Sequence, residues 1–318
     1  EEICGIEVTD RAKYIRSIIG ELERIHSHLL WAGLAGHFLG YNTVFMWAWK
    51  YREPILDLFE MITGNRNSYA MFKVGGVRRD IEESKIPVIL KAMSDVKQKI
   101  SLLTGAVMDD PVIHARTKGV GVLTKQDVID YAAVGPTARA SGLAIDIRKD
   151  DPYAAYPLVN WKVITAEAGD VFAKAEVRLL EMFESVSIIE QCLEKLKKEK
   201  EGDIAVRVKE IPEGIGAGRA EAPRGEVFHC VFSDGSNSPA RHKIRAPSYV
   251  NIATFRKSCI GQSISDATIT LAAVDPCYCC TERLAAAYDS VTGSRIHNAR
   301  ELIEMSVRKT KLVKKPQG

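Results

Sequence analysis

Two cysteines near the end of the chain have the spacing of a metal-binding or redox-active pair. Cys277 and Cys280 are three residues apart in the segment 275–283, which reads DPCYCCTER. On a turn, this spacing places both sulfur atoms on one side, where they can ligate a single soft metal ion. A redox dithiol is an alternative, although such motifs lie near the start of a βαβ unit. Structural zinc would need two more ligands, and neither Cys230 nor Cys259 has a partner at ligand spacing.

A second candidate is Arg224, which stands between Pro223 and Gly225 just before a predicted strand. An arginine on such a rigid loop can hold its guanidinium over a site and donate to anions or diatomic ligands, because it keeps its proton. An exposed loop arginine without a role is the alternative interpretation. The preceding run GIGAG at 214–218 lacks the spacing of a dinucleotide-binding loop and follows a charged stretch rather than a strand.

Ionisable residues also occur inside the most apolar predicted helix. Steps of four and three residues place Glu21, Ile25 and His28 on one face, next to the apolar stripe through Leu22 and Leu29. Buried ionisable groups must be paired. Glu21 and His28 therefore belong either to a structural polar network or to a proton route.

Helical patterns occupy most of the first two hundred residues. After the N-cap residue Thr9, apolar residues recur at three- and four-residue steps, which predicts a helix to about Gly33. Caps and periodicity predict further helices over 44–63, 82–103, 124–133 and 160–201.

The pattern changes after residue 202. Short strands are predicted over 227–232, 243–246 and 267–274, with a turn at 233–237, and an amphipathic segment follows at 299–307. The expected fold is mainly α with a smaller α+β segment. It divides into a helical bundle core at 1–202, a strand-containing segment at 203–283 that brings Arg224, Ser248, Cys277 and Cys280 together, and a C-terminal extension at 284–318.

Composition and charge exclude several classes of protein. The 318 residues are 46% hydrophobic and 27% charged, as in ordered globular proteins. The formal net charge of +3 is too small to indicate a nucleic-acid partner. We find no run of about 18 apolar residues that would span a membrane. The scattered cysteines do not form a disulfide framework, so we expect a reducing interior.

Several segments together resemble the large catalytic subunit of membrane-bound, energy-converting nickel-iron hydrogenases and the related membrane-bound sulfane sulfur reductases. This family is related to the quinone-site subunit of respiratory complex I, a branch that lacks a terminal cysteine pair. The resemblance covers nearly the whole chain and implies a bundle like that of the hydrogenase large subunit. The segments that carry it are 7–30, 46–53, 75–80, 135–142, 221–226, 233–236, 243–248 and 275–283.

The resemblance implies a nickel-iron centre held by two cysteine pairs, with carbonyl and cyanide ligands on the iron. Cys277 would be a terminal nickel ligand and the first proton acceptor, and Cys280 would bridge nickel and iron. Arg224, anchored by Asp275, would lie over the open coordination position and assist the heterolytic cleavage of dihydrogen.

Other residues would surround this centre or serve its protons. Pro223 and Ser248 would help to enclose the diatomic ligands of the iron. Glu21 and His28 would form a later proton relay or an ion-coupling network toward membrane partners.

One departure from the family pattern bears on the cofactor. The second cysteine pair would lie upstream of Glu1, and Cys4 does not replace it, so we expect the chain to be trimmed at its N-terminus. If that pair exists, the chain holds nickel and iron. If it does not, the metal is partial or absent, and the protein is a sulfane sulfur reductase. The extension 284–318 matches the segment that hydrogenase precursors lose after nickel insertion, with a basic docking arm as the alternative.

The resemblance also implies partners. The sequence has no iron-sulfur motif of its own, so electrons would pass to an iron-sulfur small subunit. Membrane antiporter-like and complex I-like subunits would hold the chain peripherally at the cytoplasmic face of the membrane and couple catalysis to ion translocation. The non-enzymatic alternative is a scaffold subunit of a complex I-like assembly, in which the cysteines are vestigial or bind zinc.

Overall fold

The computed structural model describes residues 1–199, 202–281, 287–289 and 291–313. The chain forms two units, Glu1–Pro276 and Cys277–Gly318. The helices of the first unit are α1 (Asp10–Phe38), α2 (Asn42–Thr63), α3 (Ile86–Met108), α4 (Pro111–Thr117), α5 (Lys125–Asp130), α6 (Pro136–Arg139), α7 (Ile147–Asp150), α8 (Val171–Lys198), α9 (Pro247–Asn251), α10 (Phe255–Cys259) and α11 (Ile264–Ala273). Its strands are β1 (Phe72–Lys73), β2 (Gly76–Val77), β3 (Glu213–Ala222), β4 (Gly225–Asp234) and β5 (Arg241–Arg245).

The second unit is small. Its described elements are α12 (Tyr278–Thr281), β6 (Ala287–Tyr288), β7 (Arg295–His297) and α13 (Ala299–Val313), with β6 and β7 antiparallel. The amphipathic segment predicted at 299–307 lies within α13. The predicted boundary between residues 283 and 284 lies outside the described residues, and the division into three segments stays a prediction.

The first unit is built around α1. Thr9 caps this helix by accepting a hydrogen bond from the backbone N–H of Ala12, and α1 packs against α2 on one side and α8 on the other. Because both sides are covered, apolar residues such as Ile15, Ile18 and Leu22 are fully buried in one continuous core. Helix α3 adds to this bundle by packing against α8 and α2.

Strands β3, β4 and β5 form an antiparallel sheet in which β4 is central. Ala222 pairs with Gly225, so Pro223 and Arg224 alone make the turn of the β3–β4 hairpin. Proline suits this position because its ring fixes φ in the range that a tight turn needs.

The mainly helical fold with a smaller strand-containing segment is confirmed. Strand β3 (Glu213–Ala222) was not predicted, and two predicted elements differ from those observed. The segment 267–274, predicted as a strand, belongs to helix α11, which Ser263 caps by accepting from the N–H of Asp266. Its β-branched residues are typical of strands, but Ile269, Thr270 and Ala273 are buried at helical spacing, and packing decides the outcome. The helix predicted from residue 160 begins only at Val171, where Asp170 supplies the N-cap.

None of the helices in the described ranges is both long enough and apolar enough to cross a bilayer.

The hairpin turn meets the start of α6 backbone to backbone. Gly135 has φ 68° and ψ −151°, a conformation that only glycine adopts readily. A Cβ atom on Gly135 would lie 2.5 Å from the Cα of Gly225 and still closer to the carbonyl oxygen of Arg224. Gly225 is equally confined, because its Cβ would lie 2.7 Å from the backbone nitrogen of Gly135. Two glycines thus set how closely the arginine loop approaches the bundle.

We expect Gly135→Ala to lower the free energy of unfolding by about 1–3 kcal/mol through backbone strain, and to push the Arg224 loop outward. Thermal or urea denaturation of the full chain measures the loss. Gly105→Ala is the matched control, because a Cβ there meets nothing within 4 Å in helix α3 and alanine favours the helix. Equal stability of the two variants would contradict the close contact.

Candidate functional site

Arg224 and Asp275 form an ion pair at the edge of the first unit. The Nη2 atom of Arg224 lies 3.1 Å from Oδ1 of Asp275. The Nε atom of Arg224 also donates to the backbone oxygen of Asp275 at 3.0 Å. A guanidinium that contacts both the carboxylate and the carbonyl of one residue is fixed in direction as well as in position. Its side chain keeps 20% of its surface exposed.

Asp275 is placed by the end of helix α11. It adopts a left-handed conformation with φ 58°, and its N–H donates to the carbonyl of Ala272 at 2.9 Å. A left-handed residue followed by proline is a common way to end a helix, and aspartate tolerates this conformation better than most residues. Pro276 follows, and then Cys277. The sequence thus leads from the carboxylate that holds Arg224 directly into the cysteine segment.

Ser248 and Asn251 of helix α9 hold the same loop from another side. The hydroxyl of Ser248 donates to the carbonyl of Asp275 at 3.5 Å. The Asn251 amide donates to the carbonyls of Arg224 at 3.3 Å and Val134 at 3.2 Å. Asn251 also accepts from the N–H of Val134 at 2.9 Å. The buried amide of Asn251 therefore binds the backbone at both Val134 and Arg224, on the two sides of the contact between Gly135 and Gly225.

Two further residues lie close to the pair. Ser27 of α1 accepts from Nη1 of Arg224 at 3.4 Å. Arg178 of α8 is buried and stacks on the ring of Trp31 at 4.3 Å. Burial lowers the pKa of Arg178 to about 10, while the charge of Asp275 partly raises it. The carboxylate of Asp275 therefore lies in the field of two guanidinium groups.

Cys277 and Cys280 bracket the start of helix α12 in the second unit. The N–H of Cys280 and the hydroxyl of Thr281 both donate to the carbonyl of Cys277, each at 3.1 Å. The pair thus spans a single helical turn, and Cys279 is exposed; that both sulfur atoms face one side stays a prediction. The approach of the two sulfur atoms to Arg224 stays a prediction, and Glu282 and Arg283 lie outside the described residues.

The described ranges contain no group of three or more His, Cys, Asp or Glu side chains that could hold a metal ion.

Glu21 is fully buried and surrounded by donors. Its Oε1 accepts from Arg148 at 2.9 Å and from Tyr156 at 2.7 Å, and its Oε2 accepts from Arg24 at 3.2 Å and Ser185 at 2.6 Å. Burial alone would raise the pKa of Glu21, but the two arginines and two hydroxyls outweigh it and lower the pKa to about 2. Glu21 therefore stays ionised at any physiological pH.

His28 has a different partner. Its Nε2 lies 2.9 Å from Oε2 of Glu181, whose other oxygen accepts from Nε of Arg139 at 2.7 Å. Burial lowers the pKa of His28 to about 4, although Glu181 opposes this shift. His28 is therefore neutral near pH 7. Because Glu21 stays charged and His28 stays neutral near pH 7, each bonded to buried partners, this arrangement favours the structural network over the proton route.

Glu221 connects this network to the hairpin, and sequence reasoning missed its role. Its carboxylate accepts from Nη1 of Arg139 at 2.8 Å, and its backbone oxygen accepts from Nη2 of Arg24 at 2.6 Å. Arg24 also donates to the carbonyl of Ala222 at 3.2 Å. These bonds hold the strand that ends at Ala222 against α1.

Sequence reasoning also missed Ser27, Asn251, Arg178 and Arg139. Arg139 lies in the segment 135–142, which carries part of the family resemblance, but no role was assigned to this arginine. Ser27 and Arg178 occur in helical patterns, and Asn251 lies between two predicted strands. None of the three has a local sign of a polar role. Their partners lie far away in the sequence, so only a shared family pattern could have indicated them.

The chain is similar to a known protein family and to several individual proteins. The family described as "Respiratory-chain NADH dehydrogenase, 49 Kd subunit" matches residues 39–211 and 203–283. The membrane-bound hydrogenase subunit alpha of Pyrococcus furiosus is 37% identical over 98% of this chain and 76% of its own length.

Two other relatives belong to quinone and F420H2 systems, according to their names. One subunit of the NADH-quinone oxidoreductase of Herpetosiphon aurantiacus is 38% identical over 86% of this chain and 76% of its own length. One subunit of the F420H2 dehydrogenase of Methanosarcina mazei is 38% identical over 87% of this chain and 76% of its own length. The chain therefore belongs to the family of the 49 Kd subunit of respiratory-chain NADH dehydrogenase, which joins these oxidoreductase subunits with those of membrane-bound hydrogenases.

Proposed function

We propose that this chain is the catalytic large subunit of a membrane-bound, energy-converting nickel-iron hydrogenase complex, which reduces protons to dihydrogen or oxidises dihydrogen. The observation that carries the proposal is the Arg224–Asp275 pair, whose carboxylate stands two residues before Cys277. A fixed and permanently charged guanidinium is suited to polarise a small ligand at a metal that thiolates hold. The similarity to a membrane-bound hydrogenase subunit over nearly the whole chain supports the same function.

Cys277 and Cys280 would supply one of the two cysteine pairs that such a centre needs. Cys277 and Cys280 are soft ligands of the kind that nickel and iron take in reduced sites, but the described ranges gather no group of three metal-ligating side chains. A complete centre of this kind needs a second cysteine pair. When bound, the centre would supply the redox chemistry, and the thiolates of Cys277 and Cys280 would help to hold it.

The residues of this chain would orient and enclose that centre. The contacts of Arg224 with Asp275 and Ser27 fix the plane of the guanidinium, whose five N–H groups exceed the donors that these contacts use. Arg224 would assist the heterolytic cleavage of dihydrogen as a preorganised cation. Pro223, in the hairpin turn, and Ser248, buried at the start of α9, would help to surround the diatomic ligands of the iron.

Partners follow from the same proposal. Electrons would be exchanged with an iron-sulfur small subunit, because the sequence has no cluster-binding motif of its own. Antiporter-like and complex I-like membrane subunits would hold the chain peripherally at the cytoplasmic face and couple the reaction to ion translocation. The similarity to a subunit of a membrane-bound hydrogenase supports assembly of this kind.

A membrane-bound sulfane sulfur reductase is the second candidate. It is favoured by the donor set, since the cysteine pair of the described ranges belongs to no larger group of metal-ligating side chains. A scaffold role in a complex I-like assembly, with zinc or no metal at the cysteines, is the non-enzymatic alternative.

We expect Arg224→Lys to lower hydrogen turnover of the purified complex by at least about 100-fold, with little loss of metal. Lysine carries the charge but lacks the planar fork that binds the carbonyl and the carboxylate of Asp275 together. Hydrogen evolution and elemental analysis, measured on the same preparation, separate catalysis from metal retention. Arg241→Lys, at an exposed arginine of the same sheet, is the control and should leave turnover unchanged. Full activity in Arg224→Lys would refute the role of the guanidinium.

Elemental analysis of the purified complex distinguishes the three candidate functions. Nickel near stoichiometric supports the hydrogenase, iron without nickel supports the sulfur reductase, and zinc alone supports the scaffold.

We expect Cys280→Ser to lose the metal, because serine is a hard and weakly acidic ligand. Cys279→Ser, at the exposed neighbouring cysteine, should retain it. Retention of metal in both variants would show that the cysteine pair is not a ligand.

A further inference from the structure

One face of α1 carries polar residues from the surface of the first unit to Arg224. Along this face, steps of three and four residues lead from Lys13 and Arg16 past Gly20 to Glu23. All four residues line one cavity. Ser27 comes next at the same spacing and contacts Nη1 of Arg224 at 3.4 Å. This stripe lies on a different face from Glu21 and His28.

The cavity has a volume of about 1010 Å³. Tyr153, Tyr156 and Glu221 line it, together with Pro223, the residue immediately before Arg224. Glu7 also lines it and is exposed. A cavity with polar groups and this volume has room for many water molecules. Water that fills this cavity would therefore reach Pro223, the residue before Arg224, from the exposed Glu7.

Glu23 lies where the stripe passes from the cavity to Arg224. Its Oε2 is buried and has no hydrogen-bond partner among the described residues. Burial raises the pKa of Glu23 above its ordinary value, even though Arg224 of the hairpin, Arg52 of α2 and Arg24 of α1 each lower it. Nearby His26 stays neutral near pH 7, because burial and then Arg52 and Arg224 lower its pKa to about 4.

Glu21 and Glu23 lie on the same helix but differ in the hydrogen-bond donors around their carboxyl groups. Glu21 accepts hydrogen bonds from two arginines and two hydroxyls, so its charge is fixed. Glu23 has cations near it but lacks such a set of donors on its buried oxygen. A carboxyl group of the second kind can gain and lose a proton, which is the property that a relay needs.

We propose that Glu23 carries protons between the Arg224 site and the water-accessible cavity. This inference rests on the proposed function, since the reaction must deliver or remove a proton at each turnover. The bond to hydrogen of a protonated thiol or water molecule at the Arg224 site breaks as an O–H bond forms on the Glu23 carboxylate. The Glu23 O–H bond then breaks as the proton passes to a water molecule in the cavity. No electron accompanies this transfer, and the direction reverses with the reaction.

Two readouts on the purified complex test the relay. The first is hydrogen turnover over a range of pH in Glu23→Gln, which keeps the size of the side chain but cannot accept a proton. We expect turnover to fall by about 100-fold or more, with unchanged metal content and with loss of the titration step that belongs to Glu23. Glu23→Asp should restore a large part of the rate. Glu60→Gln, at an exposed glutamate of α2, is the matched control and should behave as the wild type.

The second readout does not depend on turnover. Infrared difference spectra recorded between two pH values should contain a protonated-carboxyl band that Glu23→Gln removes and Glu60→Gln retains. If Glu23→Gln shows wild-type turnover and pH profile, or if no band is lost, the relay is overturned. If the wild-type complex turns over no hydrogen while the band is present, the proposed reaction fails and Glu23 remains an exchangeable proton site.

Discussion

The position of the candidate site depends on the neutralisation of buried charge between α1, α8 and the β3–β4 hairpin. Arg24 and Arg139 are almost completely removed from solvent, as are Glu181 and Glu221. Removing one partner from such a set leaves an uncompensated buried charge, which costs about 3–5 kcal/mol. In the observed register, the hairpin offers the Glu221 carboxylate to Arg139 and the carbonyls of Glu221 and Ala222 to Arg24. This electrostatic constraint places the adjacent turn, and with it Arg224.

Shorter-range constraints then refine the position of the guanidinium. The contact between Gly135 and Gly225 sets the distance of the turn from the bundle. The Asn251 amide fixes the backbone on both sides of that contact. The left-handed Asp275 turns its carbonyl and carboxylate toward Arg224. Each constraint comes from a different part of the sequence, so the direction of the arginine is determined by the tertiary fold rather than by the loop alone.

Local patterns in the sequence predict much of the fold and less of the site. Thr9 at the start of α1 is a capping signal that the structure confirms, because its side chain accepts from the N–H of Ala12. The segment 267–274 was misassigned because its β-branched residues favour a strand in isolation, whereas the burial of its helical face is a tertiary effect. The partners of Arg24 lie 197 and 198 residues away, and no periodicity connects them. Arg224 is a candidate from its loop context alone, whereas its pairing with Asp275 is indicated only by the family resemblance. The role of Glu23 has no sign in the sequence beyond its spacing along α1.

Helix α1 gives two carboxyl groups opposite properties through its geometry. Glu21 and Glu23 are two residues apart, so the helix points them to widely different faces. On one face, Arg148 of α7, Ser185 of α8 and Tyr156 donate hydrogen bonds to Glu21. These bonds keep Glu21 in the charged state. The other face opens to a cavity and leaves Glu23 with raised proton affinity beside a fixed guanidinium. Environments that push the pKa values of neighbouring carboxyls apart are typical of sites that divide structural and proton-transfer roles between them. A rigid, buried helix is suited to this division, because the packing that fixes Glu21 also prevents the two faces from exchanging their surroundings.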